Sequence, residues 1–155
     1  MQRKLLSIFA LIVCIISCSK DKYQSGPSIT LKSVSSTNIP VNGSMTIDLG
    51  YTDKQGNISN DTLFLIKVRN NIRQTTTVRD TLPMLIPDNP GSPKGEINLQ
   101  LDYEDYLISA ENPLDALPPA TGKESDSLTF KFILKDNDNR TSDTLVIKNI
   151  VIQRE

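Results

Sequence analysis

Ser44-Met-Thr-Ile-Asp-Leu-Gly-Tyr-Thr-Asp53 decides the fold, because large apolar side chains occupy every second position from Met45 to Tyr51. This alternation places the apolar side chains on one face of an extended chain, which is the pattern of a half-buried β-strand. The pattern returns 83 residues later in Ser127-Leu-Thr-Phe-Lys-Phe-Ile-Leu-Lys-Asp136, which aligns with the first stretch without gaps. The repeat predicts two equivalent strands in one β-rich domain.

Each of these strands precedes a polar turn and a second apolar run. Asp61-Thr-Leu-Phe-Leu-Ile resembles Asp143-Thr-Leu-Val-Ile at an offset of 82, so the two hairpins differ by one residue in loop length. If they are strands B, C and F, G of an immunoglobulin-like sandwich, the B–C and F–G loops emerge at the same end. The sequence therefore predicts that two turns rich in Asp and Asn are neighbours in space.

The remaining chain adds short strands and little helix. Tyr106 to Leu117 contains at most one short helix, and a phase shift near Lys148-Asn149 indicates a β-bulge in the last strand. We predict an all-β, antiparallel, immunoglobulin-like β-sandwich of about seven strands over residues 28–155. The further strands are expected at Ile29–Leu31, within Gln74–Leu82 as an edge strand, at Ile97–Tyr103 and at Leu145–Ile152.

The first residues form an export signal that is separate from the domain. Arg3 and Lys4 precede the 13-residue apolar run Leu5–Ser17, which is too short to span a bilayer as a helix. The run ends in Ile15-Ile16-Ser17-Cys18, which resembles the bacterial lipobox, whereas Val13 is the wrong size to precede a lipidated Cys14. We predict a lipoprotein signal peptide at residues 1–17 and a flexible tether at 18–27, with an ordinary secretory signal as the alternative.

Lipidation of Cys18 accounts for both cysteines of the chain. Cleavage before Cys18 removes Cys14, and acylation consumes the remaining thiol. Two or three acyl chains attach a protein durably to a membrane. The predicted location is the bacterial outer membrane, and the sequence leaves open whether the domain faces the periplasm or the cell surface.

Composition excludes several functions. The chain of 155 residues has no His and no Trp, and its formal net charge is -1. Catalytic pairs that use His and metal ligands of the imidazole type are therefore excluded. The near-neutral charge gives no electrostatic footprint for a nucleic acid, so we expect no nucleic-acid partner.

The lipobox and the two turns together carry a resemblance to a family. Tyr51-Thr-Asp53-Lys-Gln-Gly56-Asn57 and Phe132-Ile-Leu-Lys-Asp136-Asn-Asp-Asn139-Arg-Thr-Ser142 resemble the turns of small Ig-like lipoproteins of Bacteroidetes-type bacteria. The resemblance covers the signal and both hairpins but not the middle of the chain. It implies an Ig-like fold and a lipid anchor, and it implies no activity, since most such proteins have no assigned biochemistry.

The two turns also suggest a calcium site. Carboxylate and amide oxygens from two loops at one end of a sandwich are hard ligands of the kind that Ca²⁺ prefers. The alternative is structural, because Asp and Asn cap tight turns through hydrogen bonds to the backbone. The candidate ligands are Asp53, Asn57, Asp61, Asp136, Asp138 and Asp143, and we expect no other cofactor.

A short motif occurs four times in the chain. An Asp followed by Ser or Thr and then Leu resembles the acceptor for O-glycosylation in exported Bacteroidetes proteins. The alternative is a turn-ending Asp followed by the first residues of a strand. The candidate hydroxyls belong to Thr62, Thr81, Ser127 and Thr144.

We expect a non-enzymatic, lipid-anchored binding or accessory protein whose partner is a protein or a glycan. The alternatives are a hydrolase that uses carboxylates or a metal, and a purely structural spacer. A cleft lined by paired acids favours the enzyme, whereas an exposed apolar patch or an open edge strand favours partner binding. The long loop between Asp102 and Asp126 is expected to be functional or mobile, with Tyr103 and Tyr106 as candidate contact residues.

Overall fold

The structure is a computed structural model that describes residues 26–54, 58, 60–86 and 92–155. The predicted signal peptide and Cys18 lie outside the described residues. Eight strands and one π-helical turn follow each other along the chain: β1 (Ser28–Val34), β2 (Asn38–Ile39), β3 (Ser44–Thr52), β4 (Thr62–Arg69), β5 (Thr81–Leu85), β6 (Lys94–Asp102), the turn Tyr103–Leu107, β7 (Asp126–Lys135) and β8 (Leu145–Ile152).

The strands form two sheets. One has three strands in the order β1-β3-β6, and the other has five strands in the order β2-β8-β7-β4-β5. All neighbours are antiparallel except β2 and β8, which run parallel over two residue pairs. The prediction of an all-β sandwich is confirmed, and the short parallel pair is a difference from the purely antiparallel arrangement that the sequence predicted.

The alternating residues of β3, β4 and β7 build the core between the sheets. Met45, Ile47 and Leu49 are fully buried, while the residues between them are less buried. Phe130 and Phe132 are also fully buried, and their rings meet edge to face with centroids 6.4 Å apart. Burial of these apolar side chains is the main force that holds the two sheets together.

Two local predictions have different outcomes. The bulge in β8 is confirmed, because Leu128 pairs with Ile150 and Phe130 pairs with Ile147, and Asn149 has a φ of 61°. The edge strand predicted within residues 74–82 was wrong in position, because the observed strand β5 begins at Thr81. The position of β5 is determined by its pairing with apolar residues of β4, because Leu82 pairs with Leu65 and Met84 pairs with Leu63.

The strands run between two ends of the sandwich. The N-terminal pole consists of residue 26, the described residues 53, 54, 58, 60 and 61 between β3 and β4, and the β7–β8 turn (residues 136–144). It forms because the start of β4 pairs with the end of β7, at Thr62 and Lys135. The C-terminal pole consists of residues 70–80, 103–125 and 153–155, because Asp126 at the start of β7 pairs with Ile152 at the end of β8.

Candidate functional site

The N-terminal pole brings three aspartates together, as the repeat predicted. Asp53, Asp61 and Asp136 are 3%, 1% and 7% exposed. Each lies directly after or before one of the strands β3, β4 and β7. The prediction of two matching hairpins was wrong, because β3 and β4 belong to different sheets and only β7 and β8 pair as a hairpin. The turns still meet, because β4 pairs with β7 and the two sheets pack face to face. Burial raises the pKa of Asp61, and charge repulsion from Asp136 and Asp53 raises it further, so both carboxyl groups lie within electrostatic range of Asp61.

Asp136 is committed to the structure of its turn. Its Oδ1 accepts the backbone N–H of Arg140 at 2.7 Å, and its Oδ2 accepts Nε of the same arginine at 2.8 Å. Asn139 between them has a φ of 66°, a left-handed conformation that Asn tolerates in turns. This is the structural role that the sequence offered as the alternative to calcium binding.

In the described part of the chain, the buried carboxyl group of Asp61 lacks hydrogen bonds of the kind that Asp136 makes. Neither of its carboxyl oxygens has a hydrogen-bond partner among the described residues, although its side chain is buried. Burial is the main cause that raises its pKa to about 6, and the repulsion from Asp136 and Asp53 adds to it. The backbone amide of Asn137 lowers the pKa in part, but it does not reach hydrogen-bond geometry.

The predicted calcium ligands are therefore divided by the structure. Asn57 lies outside the described residues, while Asp138 is exposed and pairs with Arg140 Nη2 at 2.6 Å. Asp143 is exposed as well. Within residues 26–54, 58, 60–86 and 92–155, no group of three or more acidic or cysteine side chains is arranged to hold a metal ion. Calcium binding stays a prediction that now centres on Asp53 and Asp61.

The four Asp-Ser/Thr-Leu motifs differ in accessibility. Thr81 and Thr144 are exposed, whereas Thr62 and Ser127 are only partly accessible within β4 and β7. The aspartates that precede Thr62 and Ser127 are buried, as the strand-initiation alternative requires. Modification of these hydroxyls stays a prediction, and accessibility favours Thr81 and Thr144.

The C-terminal pole contains a buried charge cluster that the sequence did not reveal. Asp126 is fully buried, and it pairs with Arg69 Nε at 3.1 Å and with Arg154 Nη1 at 3.3 Å. Its carboxylate also accepts the backbone N–H groups of Ser109 at 2.9 Å and Ala110 at 3.2 Å. One carboxylate therefore joins a strand, the long loop and the C-terminal segment.

Lys67 is the second buried charge near this pole. It occupies an inward position of β4 after Leu63 and Leu65, and its Nζ donates to the carbonyl of Ile108 at 2.6 Å. Burial lowers its pKa to about 8. The signal in the sequence was a lysine in the apolar phase of a strand, which indicates a buried cation with a specific partner.

The loop between Asp102 and Asp126 is held at several points. Arg73 pairs with Glu124 at 3.0 Å, and it also donates to the carbonyl of Asp115. Tyr103 is 7% exposed and donates to the carbonyl of Gln153 at 2.6 Å, so its ring is not presented to a ligand. Tyr106 is partly buried at the edge of a groove between β5 and β6.

Three depressions mark the surface of the described part. A cavity of about 230 Å³ lies beside Arg154 and Tyr103, and one of about 380 Å³ lies on the outer face of the three-stranded sheet over Gly50. The largest, about 450 Å³, is the groove between β5 and β6, lined by Met84, Leu99 and neighbouring residues.

No helix in the described ranges is long and apolar enough to cross a membrane. No protein-family model, no curated protein and no solved structure shows significant similarity to the chain.

Proposed function

We propose that this protein is a lipid-anchored lipoprotein of the bacterial outer membrane with a non-catalytic, Ig-like domain that binds a protein partner. The lipobox at Cys18 supports the anchor. The exposed apolar side chains of the C-terminal pole support the binding role, and they are the observation that carries the proposal.

The order of the strands supports an Ig-like topology. In an immunoglobulin-like sandwich, strands A, B and E are neighbours in one sheet, and strands G, F and C are neighbours in the other. The observed orders β1-β3-β6 and β8-β7-β4-β5 agree with A-B-E and G-F-C-C′. In this assignment β2 is a short A′ strand beside G, and no strand D occurs among the described residues.

The binding role rests on large apolar side chains at one end of the molecule. Ile72 is 96% exposed and Leu117 is 64% exposed, and both lie on the C-terminal pole. Their loops are fixed to each other, because Arg73 pairs with Glu124 and donates to Asp115. Exposed apolar residues on fixed loops favour a partner surface, since they can bury area on binding with little ordering cost.

A protein fits this pole better than a glycan. Sugar rings are commonly held on aromatic side chains, and the chain has no Trp and only 5% aromatic residues. Aliphatic side chains surrounded by paired charges are instead typical of a protein interface with an apolar centre and a polar rim.

The described part of the chain begins at the end of the domain opposite this pole. A Cβ built on Gly26 would lie 3.3 Å from the Cβ of Arg140, so the chain enters the domain at the N-terminal pole. Cys18 precedes Gly26 by eight residues, which span at most about 29 Å. The N-terminal pole is therefore held near the membrane, and the C-terminal pole is free to meet a partner.

The anchor is tested by metabolic labelling with a palmitate analogue. The natural chain and a Cys14→Ser variant are expected to carry the label and to fractionate with membranes, because Cys14 is removed with the signal peptide. A Cys18→Ser variant is expected to lose both properties. Retention of the label by Cys18→Ser would show that the anchor assignment is wrong.

The binding surface is tested with a photo-crosslinking amino acid placed at Ile72 or Leu117 in intact cells. We expect a discrete adduct from both positions and none from Thr144, which is exposed on the opposite pole. Adducts from position 144 alone would contradict the assignment of the binding surface to the C-terminal pole.

A further inference from the structure

Four strands lie at the edges of the two sheets, and three of them have features that prevent pairing with another chain. β1 has a register shift between Leu31 and Ser33 with Lys32 at the shift. β2 is two residues long, and β5 is five residues long and contains Pro83. Irregularity, a charge at the edge, shortness and Pro are the means by which natural proteins block sheet edges.

β6 lacks the irregularity, the shortness and the Pro of the other three edges, and its charged side chains carry both signs. It is nine residues long, contains no Pro, and pairs with β3 in an unbroken register from Lys94 to Asp102. In the part of the chain that the structure describes, β3 is its sole strand partner, so its other edge is open. The groove between β5 and β6 runs along this edge, and Leu85 beside it is 74% exposed.

The pattern of backbone hydrogen bonds between β3 and β6 shows which N–H and C=O groups of β6 point toward its unpaired edge. Asp53 N–H donates to the carbonyl of Pro93 at 2.8 Å, in the same register as the β3–β6 ladder. Alternate residues of an antiparallel strand bond to opposite sides. The odd-numbered residues of β6 therefore bond to β3, and the residues whose N–H and C=O groups face the open edge are Lys94, Glu96, Asn98, Gln100 and Asp102.

This edge is complementary to itself. When a second β6 is placed antiparallel with Asn98 opposite Asn98, Lys94 lies opposite Asp102 and Glu96 lies opposite Gln100. A shift by two residues in one direction places Glu96 opposite Asp102, and in the other direction it places Lys94 opposite Gln100. Of these registers, only the one centred on Asn98 pairs all nine residues and places opposite charges at both ends. Opposite charges in facing positions stabilise strand pairs.

We propose that β6 is a dimerisation edge, at which two copies of this chain pair antiparallel about a two-fold axis through Asn98. Five outward residues of each copy give up to ten hydrogen bonds between the copies. The same patch meets itself, as a two-fold interface requires. The two three-stranded sheets then form one continuous six-stranded sheet.

Disulfide trapping tests the register. Facing residues of a hydrogen-bonded antiparallel pair have Cα atoms about 5.5 Å apart, within the range that a disulfide bridges. In the full chain with Cys14→Ser and Cys18→Ser, in detergent solution, Asn98→Cys is expected to give a covalent dimer on mild oxidation. Gln100→Cys alone is the matched control and should stay monomeric, since the two copies of residue 100 lie about 13 Å apart. Mixing Gln100→Cys with Glu96→Cys should restore the dimer.

A charge exchange tests the same register without cysteines. Lys94→Glu places Glu opposite Asp102, and Asp102→Lys places Lys opposite Lys94, so each variant alone should dimerise about tenfold more weakly in sedimentation equilibrium. A mixture of the two variants has opposite charges at both ends of the pair. It should form a heterodimer at least as tight as the natural homodimer. All positions are exposed on β6, and circular dichroism checks that the fold is retained.

Three results would overturn the proposal. The first is a monomer at every concentration together with no disulfide from Asn98→Cys. The second is a natural dimer that neither charge variant weakens, because its interface then lies elsewhere. The third is trapping of residue 98 to a different protein with no homodimer, which would assign the edge to an extended segment of another chain.

Discussion

Asp61 and Asp126 occupy equivalent places in the sequence and opposite situations in the structure. Each is a buried aspartate before a Thr-Leu or Ser-Leu pair, Asp61 directly before β4 and Asp126 as the first residue of β7. Asp126 has two arginines and two backbone N–H groups, whereas Asp61 has two acidic neighbours and no hydrogen-bond partner among the described residues. A buried carboxyl group can therefore either stabilise or destabilise the folded chain, and the groups that surround it determine which.

The largest effect is expected from removal of the paired carboxylate. Asp126→Ala leaves Arg69 and Arg154 with side chains only 6% and 10% exposed and without their counter-charge. The free energy of unfolding should fall by about 3–5 kcal/mol in urea titrations. Asp115→Ala is the control, because Asp115 forms an exposed ion pair with Lys123, and it should cost less than about 1 kcal/mol. Equal losses in the two variants would mean that burial of the pair has no consequence.

Removal of the unpaired carboxylate should have the opposite sign. At pH 8 Asp61 is ionised, so Asp61→Asn removes a buried charge and its repulsion with Asp53 and Asp136. The variant should be more stable than the natural chain by about 1–3 kcal/mol in the same titrations. Asp143→Asn changes an exposed residue of the same pole and should stay within about 0.5 kcal/mol. Destabilisation by Asp61→Asn would reveal a partner for this carboxylate.

The pH dependence of the unfolding free energy tests the raised pKa of Asp61. The folded-state pKa of Asp61 is raised from 3.8 to about 6, so the folded chain binds the proton more tightly than the unfolded chain does. The associated stability is complete below about pH 4 and is lost as the pH rises through about 6. The difference in unfolding free energy between the natural chain and Asp61→Asn should therefore change between pH 4 and pH 6. A flat difference across this window would argue against the raised pKa.

The smallest effect is expected from calcium. Two carboxylates, Asp53 and Asp61, would form a calcium site of low charge, for which millimolar affinity is typical. At 10 mM Ca²⁺ and pH 8 the natural chain should gain about 1 kcal/mol, measured as a rise in melting temperature, and Asp61→Asn should gain nothing. Asp143→Asn should respond like the natural chain, because Asp143 is exposed. An equal rise in all three proteins, or with NaCl of the same ionic strength, would indicate charge screening.

The sequence predicted the parts of the fold that depend on local alternation. The apolar phases of β3 and β7 identified their buried faces, and the repeat predicted that the turns with Asp53, Asp61 and Asp136 are neighbours. The predicted position of β5 was wrong. Residues 74–80 are of types that favour strands, but they have no apolar partner across the sheet. The position of that strand depends on its pairing with β4, which no local pattern contains.

The buried charge cluster around Asp126 could not be predicted from the sequence, and the reason is physical. Asp126 is 57 residues from Arg69 and 28 residues from Arg154, so its partners meet only when three strands and the C-terminal segment are in place. The short motif around Asp126 is nearly identical to that around Asp61. Local sequence therefore did not distinguish the paired aspartate from the unpaired one.

By itself, the sequence determined the all-β class and the shared alternation of β3 and β7, because alternation and composition are properties of neighbouring residues. The tertiary structure alone decided which buried aspartate has counter-charges and which strand edge stays open. Both depend on groups that come from distant parts of the chain. The β6 edge follows the same rule, because a strand is an edge only through the absence of a neighbour in the assembled sheet.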